Sequence, residues 1–228
     1  MTATLRRRAL HRFLGTLFRW LTRVEVEGWV RIPHQGGALL AVNHLSRLDP
    51  PLIFVLCERH DLTALVAEKY RHWPIIRQMV DTVDGIWINR FAPDAQALRR
   101  ALRHLRGGGM LGIAPEGTRS KTGGLMRGKP GVVYLAALSG VPIVPIAIYG
   151  TERWWHQWLR CRRPVIFVRV GEPFVVGRLP DENRDAWLQE KADEVMLRIA
   201  ALLPPEYRGV YARHPRLREF LQPDKEEP

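Results

Sequence analysis

One histidine and one aspartate stand close together in the first quarter of the chain, in a pattern that suits proton transfer. An apolar run, residues 38–42, predicts a buried strand that leads into a loop carrying His44, and Asp49 follows after four intervening residues. Pro50 suits the first turn of a helix, so we expect Asp49 at the helix N-cap. A carboxylate beside an imidazole fixes its tautomer and stabilises the cation formed when it takes a proton. The pair therefore predicts a general base for a hydroxyl.

Two plainer interpretations of this stretch stay open. Asp49 before two prolines is also an ordinary helix cap, and a lone His-x4-Asp spacing often occurs by chance. Ser46 is a candidate nucleophile, but the chain has no Gly-x-Ser-x-Gly elbow. We therefore expect Ser46 to cap or brace the turn.

The composition indicates one globular domain with an anionic partner. A chain of 228 residues with 46% hydrophobic and 25% charged residues can bury a full core. Its net charge of +12 points to nucleic-acid phosphates, a phospholipid surface or a phosphorylated substrate. Only Cys57 and Cys161 are present, far apart, so we expect no disulfide framework and no metal site. A reducing cytosolic setting fits best.

The N-terminal segment predicts a basic amphipathic helix over residues 5–23. Its apolar residues repeat at helical spacing: Leu10, Phe13, Leu14, Leu17, Phe18 and Leu21. Arginines on the other faces and the neighbouring Trp20 are typical of a helix lying on an anionic membrane surface. The alternative is that the apolar face packs on the protein's own core. No stretch approaches the roughly 20 apolar residues that span a bilayer, and basic residues interrupt any signal-peptide core.

Strand and helix patterns alternate along the rest of the chain. The predicted strands cover residues 24–30, 38–42, 62–67, 85–89, 110–114 and 164–170, and the predicted helices cover 50–57, 74–80, 94–106, 132–138 and 181–203. This order predicts an α/β fold, with a mixed, mostly parallel sheet covered by helices on both faces. Prolines 142 and 145 argue against a central strand before residue 146. We expect a surface helix at 1–23, a domain at 24–203 and a loosely held tail at 204–228.

Charged groups follow several of the predicted strands. Lys69, Arg90, Glu116 and Arg119 come shortly after strand ends, and Gly117 would let backbone approach a ligand closely. Guanidinium forks and an ammonium at one sheet edge suit a phosphate-bearing substrate. For each cation taken alone, a solvated surface charge is the competing interpretation.

Four blocks of this sequence together resemble a known family. They are Asn43-His44-Leu45-Ser46-Arg47-Leu48-Asp49, Gly85-Ile86-Trp87-Ile88-Asn89-Arg90, Pro115-Glu116-Gly117-Thr118-Arg119-Ser120 and Val141-Pro142-Ile143-Val144-Pro145. They are similar, in order and spacing, to the blocks of the glycerophospholipid acyltransferases, typified by 1-acylglycerol-3-phosphate acyltransferases. The resemblance runs from about residue 26 to residue 150. It implies that residues 24–203 form an acyltransferase domain.

The resemblance also implies a reaction and its participants. A fatty acyl group would pass from acyl-CoA or acyl-carrier protein to the hydroxyl of a lysophospholipid, foremost 1-acylglycerol-3-phosphate, which gives phosphatidic acid. His44 would be the base and Asp49 would orient it. The implied substrate-binding residues are Lys69, Arg90 and Arg119 for phosphate, Glu116 for glycerol, and Gly117 and Thr118 beside them. No cofactor or metal is implied, and the enzyme would lie peripherally on the cytoplasmic side of a membrane.

Some features leave the function open. The second block of the family usually has an aspartate before its arginine, where this chain has Asn89, which puts the acceptor in doubt. Glycerol-3-phosphate or another lysolipid is an alternative acceptor, and a hydrolase or a transacylase could use the same dyad. A basic domain that binds nucleic acid or membranes without catalysis is the competing class, although no nucleic-acid motif is present. The tryptophans and arginines of residues 154–163 suit either an interfacial belt or packing under a lid.

Overall fold

The chain forms three layers, with one sheet between two sets of helices. The computed structural model describes residues 3–89, 92, 94–152 and 154–221. The helices are α1 (Ala3–Leu21), α2 (Asp49–Leu56), α3 (Pro74–Thr82), α4 (Ala95–Arg106), α5 (Gly131–Ser139), α6 (Trp154–Leu159) and α7 (Arg184–Leu202). The strands are β1 (Arg23–Glu27), β2 (Ala38–Val42), β3 (Leu62–Ala67), β4 (Ile86–Ile88), β5 (Met110–Ile113), β6 (Ile143–Tyr149) and β7 (Val165–Val170). The predicted α/β class is confirmed.

The sheet is mostly parallel and its centre carries the predicted dyad. The strand order is β1-β7-β6-β2-β5-β3-β4, and β6 and β7 form its antiparallel pair. Strand β2 lies between β6 and β5, with Leu40 paired to Val144 on one side and to Gly112 on the other. Because β2, β3, β4, β5 and β6 run in one direction, the loops that follow them meet at one edge, which we call the carboxyl edge.

Alternate residues of the central strands feed two separate cores. Leu39 and Ala41 face a core shared with α4, α5 and α7, whereas Ala38 and Leu40 face a core shared with α1 and α2. All four side chains are fully buried. The near-continuous apolar run of β2 therefore has a simple cause, because a strand covered on both faces has no side that can be polar.

The expectation that prolines would keep residues before 146 out of a central strand is wrong. Strand β6 begins at Ile143 and contains Pro145, yet it pairs on both sides. The odd-numbered residues of β6 point their peptide groups toward β7, and the β7 ladder is interrupted between Val170 and Phe174. The missing N–H of Pro145 falls in that gap, while its carbonyl still accepts a hydrogen bond from Gly171 N–H at 2.9 Å.

Helix α1 divides its apolar residues between core and surface. Leu14 and Phe18 are buried, and Phe18 joins the core with α2. In contrast, Phe13 is 64% exposed, Trp20 is 77% exposed and Leu17 is also exposed. The core-packing interpretation therefore holds for the buried face of this helix, and the membrane-surface interpretation stays a prediction for its exposed face. None of the described helices combines the length and apolar character needed to cross a bilayer.

Residues 205–221 pack against the domain, which corrects the prediction of a loose tail for this part of the C-terminal segment. Three short 3₁₀ turns follow α7, at Pro205–Tyr207, Gly209–Tyr211 and Pro215–Glu219. Tyr211 and Leu217 belong to the core formed with α7, and the Tyr211 hydroxyl donates to Asp193 Oδ1 at 2.7 Å. Burial raises the pKa of that phenol. Residues 222–228 lie outside the described part of the chain.

Candidate active site

The His44–Asp49 pair forms as the spacing predicts, in the loop between β2 and α2. His44 Nδ1 lies 2.9 Å from Asp49 Oδ2. The imidazole is 24% exposed, whereas the carboxylate is 2% exposed. An ionised Asp49 accepts the Nδ1 hydrogen, which leaves the Nε2 lone pair available to a ligand. The arrangement is that of an oriented base.

Asp49 does not cap α2, contrary to the sequence prediction. It is the first residue of the helix, and its Oδ2 accepts hydrogen bonds from Leu45 N–H and Ser46 N–H, each at 2.7 Å. Its Oδ1 accepts from Thr151 Oγ1 at 2.6 Å. Those donors precede the helix or come from the β6 end, so the carboxylate holds the His44 loop closed. Pro50 does lie in the first turn, as predicted.

Glu116 joins the loop after β5 to the histidine. Its Oε1 accepts His44 N–H at 3.1 Å and its Oε2 accepts Met126 N–H at 3.0 Å. In the other direction, Ser120 N–H donates to the His44 carbonyl at 2.8 Å. Glu116 is 1% exposed, and burial raises the pKa of its carboxyl while these N–H donors and His44 oppose the rise. In this structure Glu116 positions the His44 backbone, and its predicted contact with glycerol stays a prediction.

Asn43, the residue before the histidine, anchors the end of β2 to β6 through its side chain. Its side-chain oxygen accepts Ile148 N–H at 2.7 Å, and its side-chain nitrogen donates to the Ile148 carbonyl at 2.9 Å. The amide thus continues the β2–β6 ladder after the backbone of β2 has turned away. Asn43 is buried, so these two bonds satisfy groups that water cannot reach.

The loop after β5 carries several cations at the carboxyl edge, among them Arg119 and Lys129. Gly117 has φ of 68°, and a Cβ there would lie 3.0 Å from Lys129 Cδ and 3.3 Å from Lys129 Nζ. The positive φ favours glycine here, and a Cβ would crowd the Lys129 side chain. Beyond it, Thr118 and the exposed Arg119 line an open cavity of about 550 Å³ with Arg127 and Val210.

The remaining predicted substrate residues are less closely joined to the dyad. Lys69 lies in a 3₁₀ turn after β3, at the same edge, and its Nζ lies 5.0 Å from the centre of the Tyr70 ring. Arg90 lies outside the described residues, directly after Asn89 at the end of β4. The backbone N–H of Asn89 donates to Asp94, the side chain that caps α4.

Several residues of the site were not found from the sequence. Thr151 is 102 positions from the carboxylate it contacts, and only its place after the β6 strand could have indicated it. Lys129 lies in a glycine- and proline-rich loop, too far from the end of any predicted strand to be placed at the sheet edge. Gly209 and Val210 reach the cavity because the C-terminal segment pairs with Leu125, whose N–H donates to the Tyr207 carbonyl at 3.0 Å.

Comparison with known proteins agrees with this geometry. A family model described as acyltransferase matches residues 23–149. A protein of Limnanthes alba named 1-acyl-sn-glycerol-3-phosphate acyltransferase is 33% identical over 190 residues, covering 82% of this chain and 64% of that protein. A protein of the same name from Borreliella burgdorferi is 28% identical over 140 residues, covering 60% of this chain and 56% of its own. The chain thus spans less than two thirds of these relatives.

A solved structure shares the fold. The crystal structure of the 1-acyl-sn-glycerophosphate acyltransferase PlsC from Thermotoga maritima superimposes with a TM-score of 0.63 and 26% sequence identity. The match covers 82% of this chain and 77% of that protein. The α/β fold predicted from the alternation of strands and helices is therefore confirmed.

Proposed function

This chain belongs to the acyltransferase family, and from that premise we propose that it transfers a fatty acyl group from a thioester to the hydroxyl of a lysophospholipid. The observation that carries the proposal is the His44–Asp49 contact of 2.9 Å, which leaves one ring nitrogen free to act as a base. The names of the relatives favour 1-acylglycerol-3-phosphate as acceptor and phosphatidic acid as product. Acyl-CoA or acyl-carrier protein would supply the acyl group.

The proposed reaction is a direct transfer. His44 Nε2 takes the proton of the acceptor hydroxyl as its oxygen attacks the thioester carbonyl. The carbonyl then re-forms, the carbon–sulfur bond breaks, and the proton passes from His44 to the departing thiolate. Asp49 stabilises the imidazolium between these two steps through a charge-assisted hydrogen bond. General-base catalysis of this kind contributes roughly 10²–10⁴-fold, and positioning of the two substrates supplies much of the remainder.

The acceptor phosphate would bind among the cations at the carboxyl edge. Arg119 is exposed beside Thr118, and Lys129 lies against Gly117 on the same loop, which hydrogen bonds tie to His44 through Glu116 and Ser120. A guanidinium can bind two phosphate oxygens at once, while an ammonium adds a point charge. Lys69 and Arg90 are the further cations that we assign to this role from the sequence. Because Asn89 stands where the family usually has an aspartate, the assay has to identify the acceptor.

We also propose that the protein works on the cytoplasmic face of an anionic membrane without crossing it. Exposed apolar side chains of α1, Phe13 and Trp20, lie on the same helix as the exposed Arg12 and Arg19. Helix α6 adds three more exposed apolar side chains, and its Trp158 Nε1 donates to the Leu21 carbonyl at the end of α1. Aromatic rings beside arginines are the composition of a membrane-surface helix.

The deciding experiment is an assay of acyl transfer with the full chain and His44→Ala. Labelled acyl-CoA and acyl-carrier protein are each supplied with lysophosphatidate, other lysophospholipids, glycerol-3-phosphate or no acceptor, and lipid products are separated. We expect phosphatidate from the intact chain and a loss of at least 10²-fold in His44→Ala. His34→Ala, which changes an exposed histidine away from the dyad, should keep full activity.

The same assay separates the competing functions. Release of free fatty acid without an acceptor would indicate a hydrolase, and transfer from a phospholipid donor would indicate a transacylase. If a folded protein showed no turnover with any donor, the result would favour a binding domain without catalytic activity. Full activity in a His44→Ala variant with an unchanged melting temperature would refute the catalytic role of the dyad.

A further inference from the structure

A second strongly basic site lies at the sheet edge opposite His44. A cavity of about 300 Å³ opens between α1 and α2, and it is lined by Arg7, Arg8, His11, Arg12, Phe54, Cys57, Arg59 and His60. Arg7 donates to the carbonyl of Leu62, where β3 begins, and Arg59 donates to that of Gly108, just before β5. With strands of four to six residues between the edges, this cavity is on the order of 15–20 Å from the dyad.

The lining of this cavity is cationic without a matching carboxylate. Four guanidinium groups and two imidazoles face it, and none of the lining residues is acidic. Arg59 is already engaged, since it forms an ion pair with Asp61 and also bonds to backbone carbonyls. Arg8 and Arg12 are exposed and form no ion pair with any residue that the structure describes. Their charges are available to a ligand.

Arg7 supplies a buried cation beneath the cavity. Its side chain is 8% exposed, its guanidinium lies 5.2 Å from the centre of the Phe54 ring, and its hydrogen-bond partner is the Leu62 carbonyl. Within the described residues no carboxylate comes within ion-pairing distance of it. Burial lowers the pKa of this guanidinium, against the opposing charges of Asp84 and Asp61. A buried cation that lacks an adjacent counter-ion is unfavourable, and a bound anion would offset that cost.

His11 gives an independent indication of a missing ligand. Its ring packs edge-on against Phe54, with ring centres 5.5 Å apart. Its Nε2 is buried and has no hydrogen-bond partner among the described residues. Buried polar atoms are nearly always paired, so an orphaned ring nitrogen at an arginine-rich cavity needs an acceptor or a donor there. A rotation of the ring would bring Nε2–H to an anionic oxygen in the cavity.

We propose that the cavity between α1 and α2 binds a phosphate group, with Arg8 and Arg12 as its direct ligands and the His11 ring beside them. The guanidinium forks of Arg8 and Arg12 contact separate phosphate oxygens, and Arg7 adds charge from below. The shared chemistry is a phosphate mono- or diester oxyanion, which either a free phosphate or the headgroup of an anionic lipid supplies. The site is separate from the acceptor phosphate and does not depend on the proposed reaction.

The test compares two double variants on one helix. Arg8→Ala/Arg12→Ala removes the proposed ligands, while Arg6→Ala/Arg19→Ala removes the same charge from exposed positions outside the cavity. The melting temperature of each full-length protein is measured against inorganic phosphate at constant ionic strength. The same series in an Arg119→Ala background weakens the contribution of the acceptor site to the response. The ring resonances of His11 are followed by NMR in parallel.

The second arm supplies the phosphate as lipid. Binding to phosphatidylcholine vesicles is compared with binding to vesicles that contain phosphatidylglycerol. We expect phosphate to raise the melting temperature of the intact protein and of Arg6→Ala/Arg19→Ala, to shift the His11 resonances, and to bind at least tenfold more weakly to Arg8→Ala/Arg12→Ala. A selective loss for Arg8→Ala/Arg12→Ala that appears only with phosphatidylglycerol vesicles assigns the site to lipid headgroups. Equal responses of the two double variants in both arms would overturn the proposal.

Discussion

The charge of Asp49 makes a specific contribution that Asp49→Asn can isolate. An asparagine oxygen can still accept the N–H groups of Leu45 and Ser46, and its amide nitrogen can donate to Thr151 Oγ1, which changes from donor to acceptor. The loop should therefore keep its shape, at a cost of about 1 kcal/mol in unfolding free energy. The variant loses the negative charge that faces the His44 ring.

That loss should appear in the rate. A hydrogen bond to a charged group contributes about 1.5–3 kcal/mol, and each 1.36 kcal/mol corresponds to tenfold, so we expect kcat to fall roughly 10- to 150-fold. Thiol release from acyl-CoA, read in a continuous colorimetric assay, gives kcat, and thermal unfolding reports the fold. Thr151→Val is the matched control, because it removes one donor to Asp49 and leaves its charge; its kcat should fall less than tenfold.

Two outcomes would refute this reasoning. A folded Asp49→Asn protein with kcat within twofold of the intact enzyme would show that the carboxylate charge does not assist His44. If Thr151→Val lost as much activity as Asp49→Asn, the positioning of the carboxylate, and not its charge at Oδ2, would limit the reaction.

The remaining predictions concern the acceptor and the membrane. Arg119→Ala should raise KM for lysophosphatidate about tenfold or more, with little change for monoacylglycerol, because a phosphate contact of 1–3 kcal/mol is lost only from the phosphorylated acceptor; equal effects on both acceptors would make Arg119 structural. Phe13→Ser/Trp20→Ser should weaken binding to anionic vesicles more than tenfold, since burying each exposed ring in lipid would contribute roughly 1.5–3 kcal/mol of binding free energy. Val30→Ser/Val175→Ser, at exposed apolar positions elsewhere, is the control and should bind as the intact protein does.

The central strands β2 and β3 and the dyad could be predicted from local sequence, because each depends on residues that are close in the chain. The β2 and β3 boundaries match those predicted from their apolar runs, and His44 and Asp49 meet across a single turn. The resemblance of the four blocks to a family predicted in addition that the histidine loop and the loop after β5 serve one active site. The structure shows how that partnership is made, through Glu116 to His44 N–H and Ser120 N–H to the His44 carbonyl.

Long-range contacts account for what the sequence could not predict. Pro145 fits a central strand only because the neighbouring ladder is interrupted where its N–H would point, and no pattern within β6 reveals that gap. The C-terminal segment is basic and then acidic in sequence, yet Tyr211 and Leu217 pack against α7, and the Tyr211 hydroxyl accepts Gly128 N–H at 3.0 Å. Composition alone made it look loosely held. Its contact with the loop beside Lys129 makes it part of the candidate substrate site.

The two faces of α1 show why its proposed membrane contact cannot be tested by deleting the helix. Its apolar stripe is wide enough to serve a core face and an exposed face at once, so periodicity could not say which one the helix uses. Removing residues 1–23 would expose the core under Leu14 and Phe18 and take away Arg7, which is bonded to the start of β3. A loss of vesicle binding would then follow from unfolding as readily as from a lost membrane contact. Substitutions at Phe13 and Trp20 change only the outward face, so their effect reports on the membrane contact itself.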